Sequence, residues 1–289
     1  MKIIMTPNPY RDKQFQYAGQ ARQILEQAGA EVKLCLPFDV DQDYALPTDL
    51  HFDDLHKEIV GADMLICFGG DGTILHASKL ATAHGLPVLG VNIGTMGFIA
   101  ELEAGELSLL RKLPAGEYRL EERSMLDVTV IGASGQQLFH ETALNDAVVT
   151  KGAIARVIRL SVLCDGVEAT EFAGDGLIVC TPTGSTAYSM SAGGPIVEPA
   201  AKNIIITPIC PHALMTKSIV VSPKRVIEVR VGKVGRHTAF LSADGGRAVR
   251  LGTGDRIIIR SAECVTRLVR LKSTGFFDVI NRKFIDKQR

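Results

Sequence analysis

A run of five residues, Gly69-Gly70-Asp71-Gly72-Thr73, constrains the fold of this chain more than any other stretch. It follows the apolar segment Asp63–Phe68, which is typical of a buried parallel strand, and it precedes apolar residues at helical spacing from Ile74 to Leu80. The order strand, glycine turn, helix is how α/β proteins bring backbone N–H groups and a helix N-terminus to a phosphate. The sequence therefore predicts a phosphate or nucleotide site at 69–73.

The carboxylate of Asp71 is unexpected in such a turn, because a negative charge repels a phosphate. The three glycines around it allow positive φ angles and let a ligand approach the backbone closely. Two interpretations stay open from the residues alone. Asp71 either shapes the turn and caps the helix, as Asp often does, or it has a chemical role of its own.

Strand and helix signals alternate through the first 120 residues. Strands are expected at Lys2–Met5, Glu31–Leu36, Asp63–Phe68 and Leu86–Val91, with an amphipathic helix at Phe15–Ala28. This βαβ rhythm predicts a Rossmann-like open parallel sheet. The first domain is therefore expected to be an α/β domain over residues 1–120.

From position 121 to 271 the apolar segments become short and rich in β-branched residues. Strands are expected at Met125–Ile131, Ala143–Thr150, Arg156–Leu163, Leu177–Cys180, Asn203–Ile206, Val226–Val231, Ala239–Ser242, Arg256–Arg260 and Cys264–Leu271. Turn signals such as Cys164-Asp165-Gly166 and Asp244-Gly245-Gly246 separate them. The pattern predicts an all-β, sandwich-like second domain. Residues 272–289 contain a helical segment at Phe276–Phe284, which we expect to return to the first domain.

The composition excludes several classes of protein. Lys plus Arg and Asp plus Glu each total 32, so no general basic field points to a nucleic-acid partner. No apolar run approaches the roughly 20 residues that span a bilayer, and the N-terminal segment is typical of a strand, not of a signal peptide. The six cysteines are scattered and lack metal-binding spacing. We expect a cytoplasmic protein that binds no membrane and holds no metal through its own residues.

A second concentration of glycines and hydroxyls lies at 174–195. Gly174-Asp175-Gly176 precedes a run from Thr181 to Pro195 in which six Ser or Thr residues fall within eleven positions. Neutral donors and acceptors at this density suit a ribose, an amide or a phosphate edge. The alternative is a polar loop that leads into a capped helix.

Asn145-Asp146 interrupts the apolar segment 143–149. Two adjacent polar residues in a strand either point to opposite faces or lie at its end. The chain contains no GxxxxGK[ST] loop, no GxGxxG fingerprint and no GxSxG elbow, which argues against P-loop, hydride-transfer and serine-hydrolase chemistry.

Taken together, these stretches resemble the NAD kinase family, whose members phosphorylate the adenosine-ribose 2′-hydroxyl of NAD to give NADP. The resemblance extends from Gly69 to the Phe276–Ile280 segment. The matching stretches are 69–73, Val91-Asn92-Ile93-Gly94, Met96-Gly97-Phe98, Asn145-Asp146, 174–176, 181–195 and Pro211-His212.

The resemblance implies a role for each matching residue. Asp71 is the implied catalytic base, and Gly69, Gly70 and Thr73 are the implied phosphate-binding residues. The implied substrate-binding residues are Gly72, Phe98, Asn145, Asp146, Arg156, Asp175, Thr183, Thr186, Ala187, Tyr188, Ser189, Met190 and Ser191. In this family Asp175 can come from a neighbouring subunit, which implies a homodimer or homotetramer. The implied substrates are NAD and ATP, and Mg²⁺ or another divalent cation accompanies ATP because no P-loop lysine is present.

Several positions depart from the family pattern. Asp146 stands where Glu is common after Asn, Lys217-Ser218 replaces Arg-Pro, and Thr95 and Gly246 also differ. These positions concern rim contacts and donor preference, so ATP or polyphosphate as donor, NADH as acceptor and feedback by NADPH stay open. Two alternative functions also stay open. One is a diacylglycerol-type lipid kinase, and the other is a regulator that senses NAD or NADP without chemistry.

Overall fold

The computed structural model describes residues 1–41, 44–94, 97–153, 156–212, 216–232 and 239–286. Thr95 and Met96, two residues of the family resemblance, lie outside the described residues. The chain divides into two compact units. The first comprises Met1–Glu122 with Thr266–Arg289, and the second comprises Arg123–Val265. The return to the first unit thus begins before position 272, inside a strand.

The strands are β1 (Lys2–Pro7), β2 (Glu31–Leu34), β3 (Met64–Gly69), β4 (Val88–Asn92), β5 (Leu102–Glu103), β6 (Arg119–Ile131), β7 (Gln137–Ala143), β8 (Asp146–Lys151), β9 (Ile158–Cys164), β10 (Val167–Gly174), β11 (Gly176–Cys180), β12 (Ile204–Ile209), β13 (Ile219–Val221), β14 (Ile227–Val231), β15 (Ala239–Ala243), β16 (Val249–Leu251) and β17 (Arg256–Arg270). The α-helices are α1 (Gln16–Gln27), α2 (Leu55–Glu58), α3 (Asp71–Ala83), α4 (Tyr188–Ser191) and α5 (Phe276–Asp286). The 3₁₀ helices are Lys13–Phe15, Ala104–Lys112, Gly184–Thr186 and Pro199–Ala201. No helix of the described residues is long and apolar enough to cross a membrane.

The first unit is built on a parallel sheet with the strand order β4-β3-β1-β2. Alternate residues of β3 enter two different cores. Ile66 and Phe68 pack with the core that contains α1, whereas Leu65 and Cys67 pack with the core that contains α3. A sheet covered on both faces requires an apolar residue at every position, which explains the uninterrupted run before the glycine turn.

The strand order defines where a ligand can bind this sheet. The chain leaves β1 for β2 on one side and then crosses to β3 on the other side of β1. Ligands of open α/β sheets bind at such a switch point, outside the carboxyl ends of the two strands. The turn at 69–73 follows β3 directly, so the fold places it at this switch point.

The second unit is a sandwich of antiparallel sheets. One sheet has the order β13-β12-β11-β8-β15-β16, and the other contains β10-β9-β14-β17 with β6 and β7. Inward residues of both sheets, such as Val149, Val179, Val162 and Ile257, form one core. The predicted fold class is confirmed: an α/β unit with a parallel sheet, a β-rich unit, and a C-terminal segment that belongs to the first.

Strand prediction was wrong where apolar alternation fails. The predicted strands Arg256–Arg260 and Cys264–Leu271 are one strand, β17, whose middle residues are largely solvent-exposed and therefore carry no apolar pattern. The sequence also missed β7, β10, β13 and β16, whose residues are mostly exposed or half-buried. β10, β13 and β16 are edge strands. Edge strands bury little apolar surface, so their sequences give a weak signal.

Candidate active site

The glycines of the 69–73 turn act through the space they leave and not through unusual backbone angles. None of Gly69, Gly70 and Gly72 has a positive φ, so that expectation is wrong. A Cβ on Gly69 would collide with the side chain of Thr73. Apart from their chain neighbours and the backbone of α3, no atom of the described residues lies within 4 Å of the Cβ positions of Gly70 and Gly72. The turn is thus tightly packed on one side and open on the other.

Asp71 is the first residue of α3, and its carboxylate points away from that helix. Its Oδ2 accepts a hydrogen bond from the backbone N of Phe98 at 2.7 Å, and its Oδ1 accepts one from that of Ile99 at 3.2 Å. The N-cap residue is Gly70, so the interpretation of Asp71 as a helix cap is wrong. A Cβ on Gly97 would collide with Oδ1. Only glycine at 97 allows this approach.

Asn8, at the carboxyl end of β1, supports the glycine turn and was missed by sequence reasoning. Its Nδ2 donates to Thr73 Oγ1 at 3.0 Å, and its backbone N donates to Phe68 O at 2.9 Å. The available signal was a polar residue directly after an apolar strand. Asn92, buried at the end of β4, donates to Glu103 Oε2 at 2.7 Å.

In the second unit, Asn145 and Asp146 lie at a strand end, as one of the two predicted arrangements required. Asp146 begins β8. The carboxylate of Asp244 accepts from the backbone N of Leu144 at 2.7 Å, of Asn145 at 2.7 Å and of Asp146 at 3.1 Å. The sequence indicated Asp244 only as a turn residue. Its carboxylate in fact holds the backbone that presents the Asn-Asp pair.

The side chains of Asn145 and Asp146 are both buried. Burial, and secondly the negative charge of Asp244, raise the pKa of Asp146 to about 7. Asn145 Oδ1 has no hydrogen-bond partner among the described residues. A buried unpaired amide oxygen and a desolvated carboxyl are both costly, and a polar ligand would relieve that cost.

Most hydroxyls of the 181–191 run are used inside the protein. Thr181 Oγ1 donates to Leu144 O at 2.6 Å, Ser185 Oγ donates to Pro182 O at 2.6 Å, and Ser189 Oγ bonds Thr207 Oγ1 at 2.8 Å. A Cβ on Gly184 would collide with the backbone of Asn145. These contacts bring the run against the Asn-Asp pair.

The other residues predicted in this run differ in exposure. Thr183 Oγ1 accepts from Arg123 Nη1 at 3.3 Å, and Thr186 Oγ1 donates to Thr183 O at 3.2 Å; both threonines are buried. Ala187 and Met190 are half-buried, whereas Tyr188 and Ser191 are exposed. Solvent can therefore reach the 187–191 part of the run, while the 181–186 part supports it.

Asp175 lies away from the Asn-Asp pair. Its Oδ1 accepts from Lys151 Nζ at 2.6 Å. Lys151 ends β8 whereas Asp146 begins it, so about 17 Å of strand separates these two residues. Arg156 is exposed beyond this same end of β8. The second unit thus groups 145–146 with 181–191 and places Asp175 and Arg156 elsewhere.

Within the described ranges, no group of three or more His, Cys, Asp or Glu residues could hold a metal ion. The site in the first unit is a glycine turn at a switch point with one oriented carboxylate. A turn of this kind accommodates phosphate, and the carboxylate can accept a proton from a hydroxyl. Fold and site together define the class: a nucleotide-dependent phosphotransferase.

Comparison with known proteins identifies the family within this class. Residues 4–118 match the ATP-NAD kinase N-terminal domain, and residues 144–271 match the ATP-NAD kinase C-terminal domain. The NAD kinase of Ruminiclostridium cellulolyticum is 35% identical over 99% of both chains, and that of Moorella thermoacetica is 45% identical over 78% of this chain and 72% of its own. The chain belongs to the NAD kinase family.

Solved structures agree with this assignment. The structure of yeast NADH kinase complexed with NADH matches with a TM-score of 0.84 at 25% identity. The match covers 97% of this chain and 86% of the yeast chain. An NAD kinase from Archaeoglobus fulgidus, in complex with ATP, has a TM-score of 0.75 at 26% identity, with 98% of both chains covered. The comparisons give no support to the lipid-kinase or regulator alternatives.

Proposed function

We propose that this protein transfers the γ-phosphoryl group of ATP to the 2′-hydroxyl of the adenosine ribose of NAD, which yields NADP and ADP. The observation that carries the proposal is the carboxylate of Asp71. It lies at the switch point of the parallel sheet, is half-buried, and is oriented by two backbone N–H groups. The open space beside Gly70 and Gly72 leaves room for a ribose.

The reaction needs little covalent chemistry from the protein, because phosphoryl transfer proceeds through a loose transition state. A secondary hydroxyl is a poor nucleophile. As the oxygen–phosphorus bond forms, the hydroxyl proton passes to Asp71, and the bond from the γ-phosphorus to the β,γ-bridging oxygen breaks. The Asp71 carboxylate accepts two hydrogen bonds from backbone N–H groups, and its remaining lone pairs can accept this proton.

The donor in this proposal is ATP with its divalent cation. Mg²⁺ is usually held through substrate phosphates and one or two carboxylates, not by a cage of protein ligands. Gly69, Gly70 and Thr73 would contact the phosphates through the turn and the N-terminus of α3.

The second unit is proposed to bind NAD. Asn145 and Asp146 would bond the nucleoside. The accessible residues of the run would contact adenine and ribose, namely Ala187, Tyr188, Met190 and Ser191. Phe98 and Gly72 would lie near the acceptor. Thr183, Thr186 and Ser189 would shape this segment from within. Asp175 is bonded to Lys151, which lies about 17 Å along β8 from Asp146, and it would serve the nicotinamide end in a neighbour's site within a homodimer or homotetramer. Arg156, which follows the same end of β8 in the chain, would also serve the nicotinamide end. All six cysteines are free thiols, which fits the proposed cytoplasmic location.

The proposal is tested with purified protein, ATP, Mg²⁺ and NAD, and NADP is detected by an NADP-specific dehydrogenase. NADP should form only when all three are present. Diacylglycerol replaces NAD in a parallel reaction, and labelled NAD without ATP measures binding alone. Binding of NAD without formation of NADP would support the regulator instead, and phosphorylated lipid would support the lipid kinase.

A further inference from the structure

A buried arginine, Arg270, is linked to the carboxylate of Asp71 through the backbone of a single residue. Arg270 Nη1 donates to Ile99 O at 3.2 Å. The backbone N of Ile99 donates to Asp71 Oδ1 at 3.2 Å. Both polar backbone groups of Ile99 are therefore engaged, one by the proposed base and one by the guanidinium.

Further contacts of Arg270 fasten the same segment of chain. Its Nη1 also donates to Glu101 Oε2 at 3.1 Å, and its Nε donates to Glu121. Glu101 Oε1 accepts from the backbone N of Leu271 at 2.8 Å and of Lys272 at 2.7 Å. Arg270 is 9% exposed and Glu101 is 8% exposed. The return of the chain at 270–272 is thereby tied to Glu101, two residues after Ile99.

The segment 97–101 is also held from β4. The backbone N of Glu101 donates to Gly90 O at 2.9 Å. Gly97 lies so close to Asp71 that a Cβ there would collide with its Oδ1. Because the N–H groups of Phe98 and Ile99 bond the Asp71 carboxylate, a displacement of segment 97–101 changes the position in which that carboxylate is held.

We propose that Arg270 is a positioning residue for phosphoryl transfer, which fixes segment 97–101 so that its N–H groups hold Asp71 towards the acceptor hydroxyl. The inference rests on the base role of Asp71 in the proposed function. Burying a guanidinium with the carboxylate of Glu101 has a desolvation cost that apolar side chains of similar volume avoid. The planar fork of arginine bonds a carbonyl and two carboxylates in fixed directions, which no apolar side chain can do.

The test compares two substitutions on the same strand, Arg270→Lys and Arg260→Lys. Lysine keeps the charge but lacks the fork, so it cannot hold Ile99, Glu101 and Glu121 together. Arg260 is the control, since it bonds Asp127 Oδ2 through Nε at 3.1 Å and Nη2 at 3.0 Å and, among the described residues, makes no hydrogen bond to segment 97–101. Arg270→Lys should lower kcat about tenfold to hundredfold, with KM for NAD and ATP within about twofold. Arg260→Lys should leave all three constants unchanged.

Melting temperature, measured on the same samples, separates positioning from loss of fold. The inference is overturned if Arg270→Lys folds and its kcat stays within twofold of the parent. It is also overturned if Arg270→Lys raises the KM values for NAD and ATP by the same factor by which it lowers kcat. If Arg270→Lys does not fold, Glu121→Gln decides, because Glu121 is partly exposed and accepts a hydrogen bond from Nε of Arg270. That variant should lower kcat by about threefold or more at constant KM, and an unchanged kcat refutes the proposal. A parent protein without NADP formation instead refutes the proposed function.

Discussion

Replacing Asp71 by Asn removes the proposed base while keeping its shape. An asparagine oxygen can still accept one of the two N–H bonds from Phe98 and Ile99, and the other bond is lost. That loss costs about 1–3 kcal/mol of stability. General base catalysis contributes about 10²–10⁴ in rate, which is roughly 3–5 kcal/mol of barrier. Turnover should therefore fall by at least a hundredfold, while the Kd for NAD stays within roughly tenfold.

The assay is steady-state NADP formation with a dehydrogenase couple, together with calorimetric titration of NAD. Asp12→Asn provides the matched control. Asp12 is buried in the same unit and accepts from the backbone N of Tyr17 at 3.0 Å and of Ala18 at 2.9 Å, so its substitution removes comparable bonds. It should lower the melting temperature but not kcat. Asp71→Asn with turnover within tenfold of the parent would refute the base role, and so would an equal loss of kcat in Asp12→Asn.

Three further predictions concern the neighbours of these groups. Gly97→Ala places a methyl group against Asp71 Oδ1, so kcat should fall about tenfold to hundredfold at nearly constant KM for NAD; an unaffected kcat would contradict the tight packing. Asp244→Asn removes a charged acceptor for three N–H groups of 144–146, so the free energy of unfolding measured in urea should fall by about 2–4 kcal/mol. An unchanged free energy of unfolding would show that these bonds contribute little. The folded-state pKa of Asp146, raised to about 7, lies above its unfolded value of 3.8, so the folded state binds the extra proton between these pH values. The free energy of unfolding should consequently fall from pH 4 to pH 7, by roughly 3 kcal/mol from this group, and Asp146→Asn should remove that part of the slope.

Local signals predicted the elements that bury apolar surface on both faces. The run before Gly69 predicts a parallel strand, because β3 contributes to cores on both sides of the sheet. Edge strands such as β10 and β16 gave little signal, since most of their residues face solvent. The same reason divided β17 into two predicted strands.

The candidate site was only partly readable from the sequence. Asp71, Asn145 and Asp146 stood out because a polar residue among glycines or apolar residues is unusual. Asn8, Asp244 and Arg270 did not, since each is an ordinary polar residue at a strand end or turn until its distant partner is known. Their partners are 60 to 65, 98 to 100 and 149 to 171 residues away in the chain. No local pattern encodes contacts of that range.

The amino-acid sequence by itself determined the order of elements, the two kinds of unit and the residue types available for chemistry, because these depend on periodicity and on composition over short windows. Only the tertiary structure decided what the carboxylate of Asp71 does. Its partners, Phe98 and Ile99, come from the segment after β4, and they turn the carboxylate away from the helix that it begins. The orientation of the Asp71 carboxylate depends on which backbone N–H groups lie beside it. Long-range packing of the core decides which chain segments come together there. The glycines of the 69–73 turn provide room, and none of them has the positive φ angle that the sequence led us to expect.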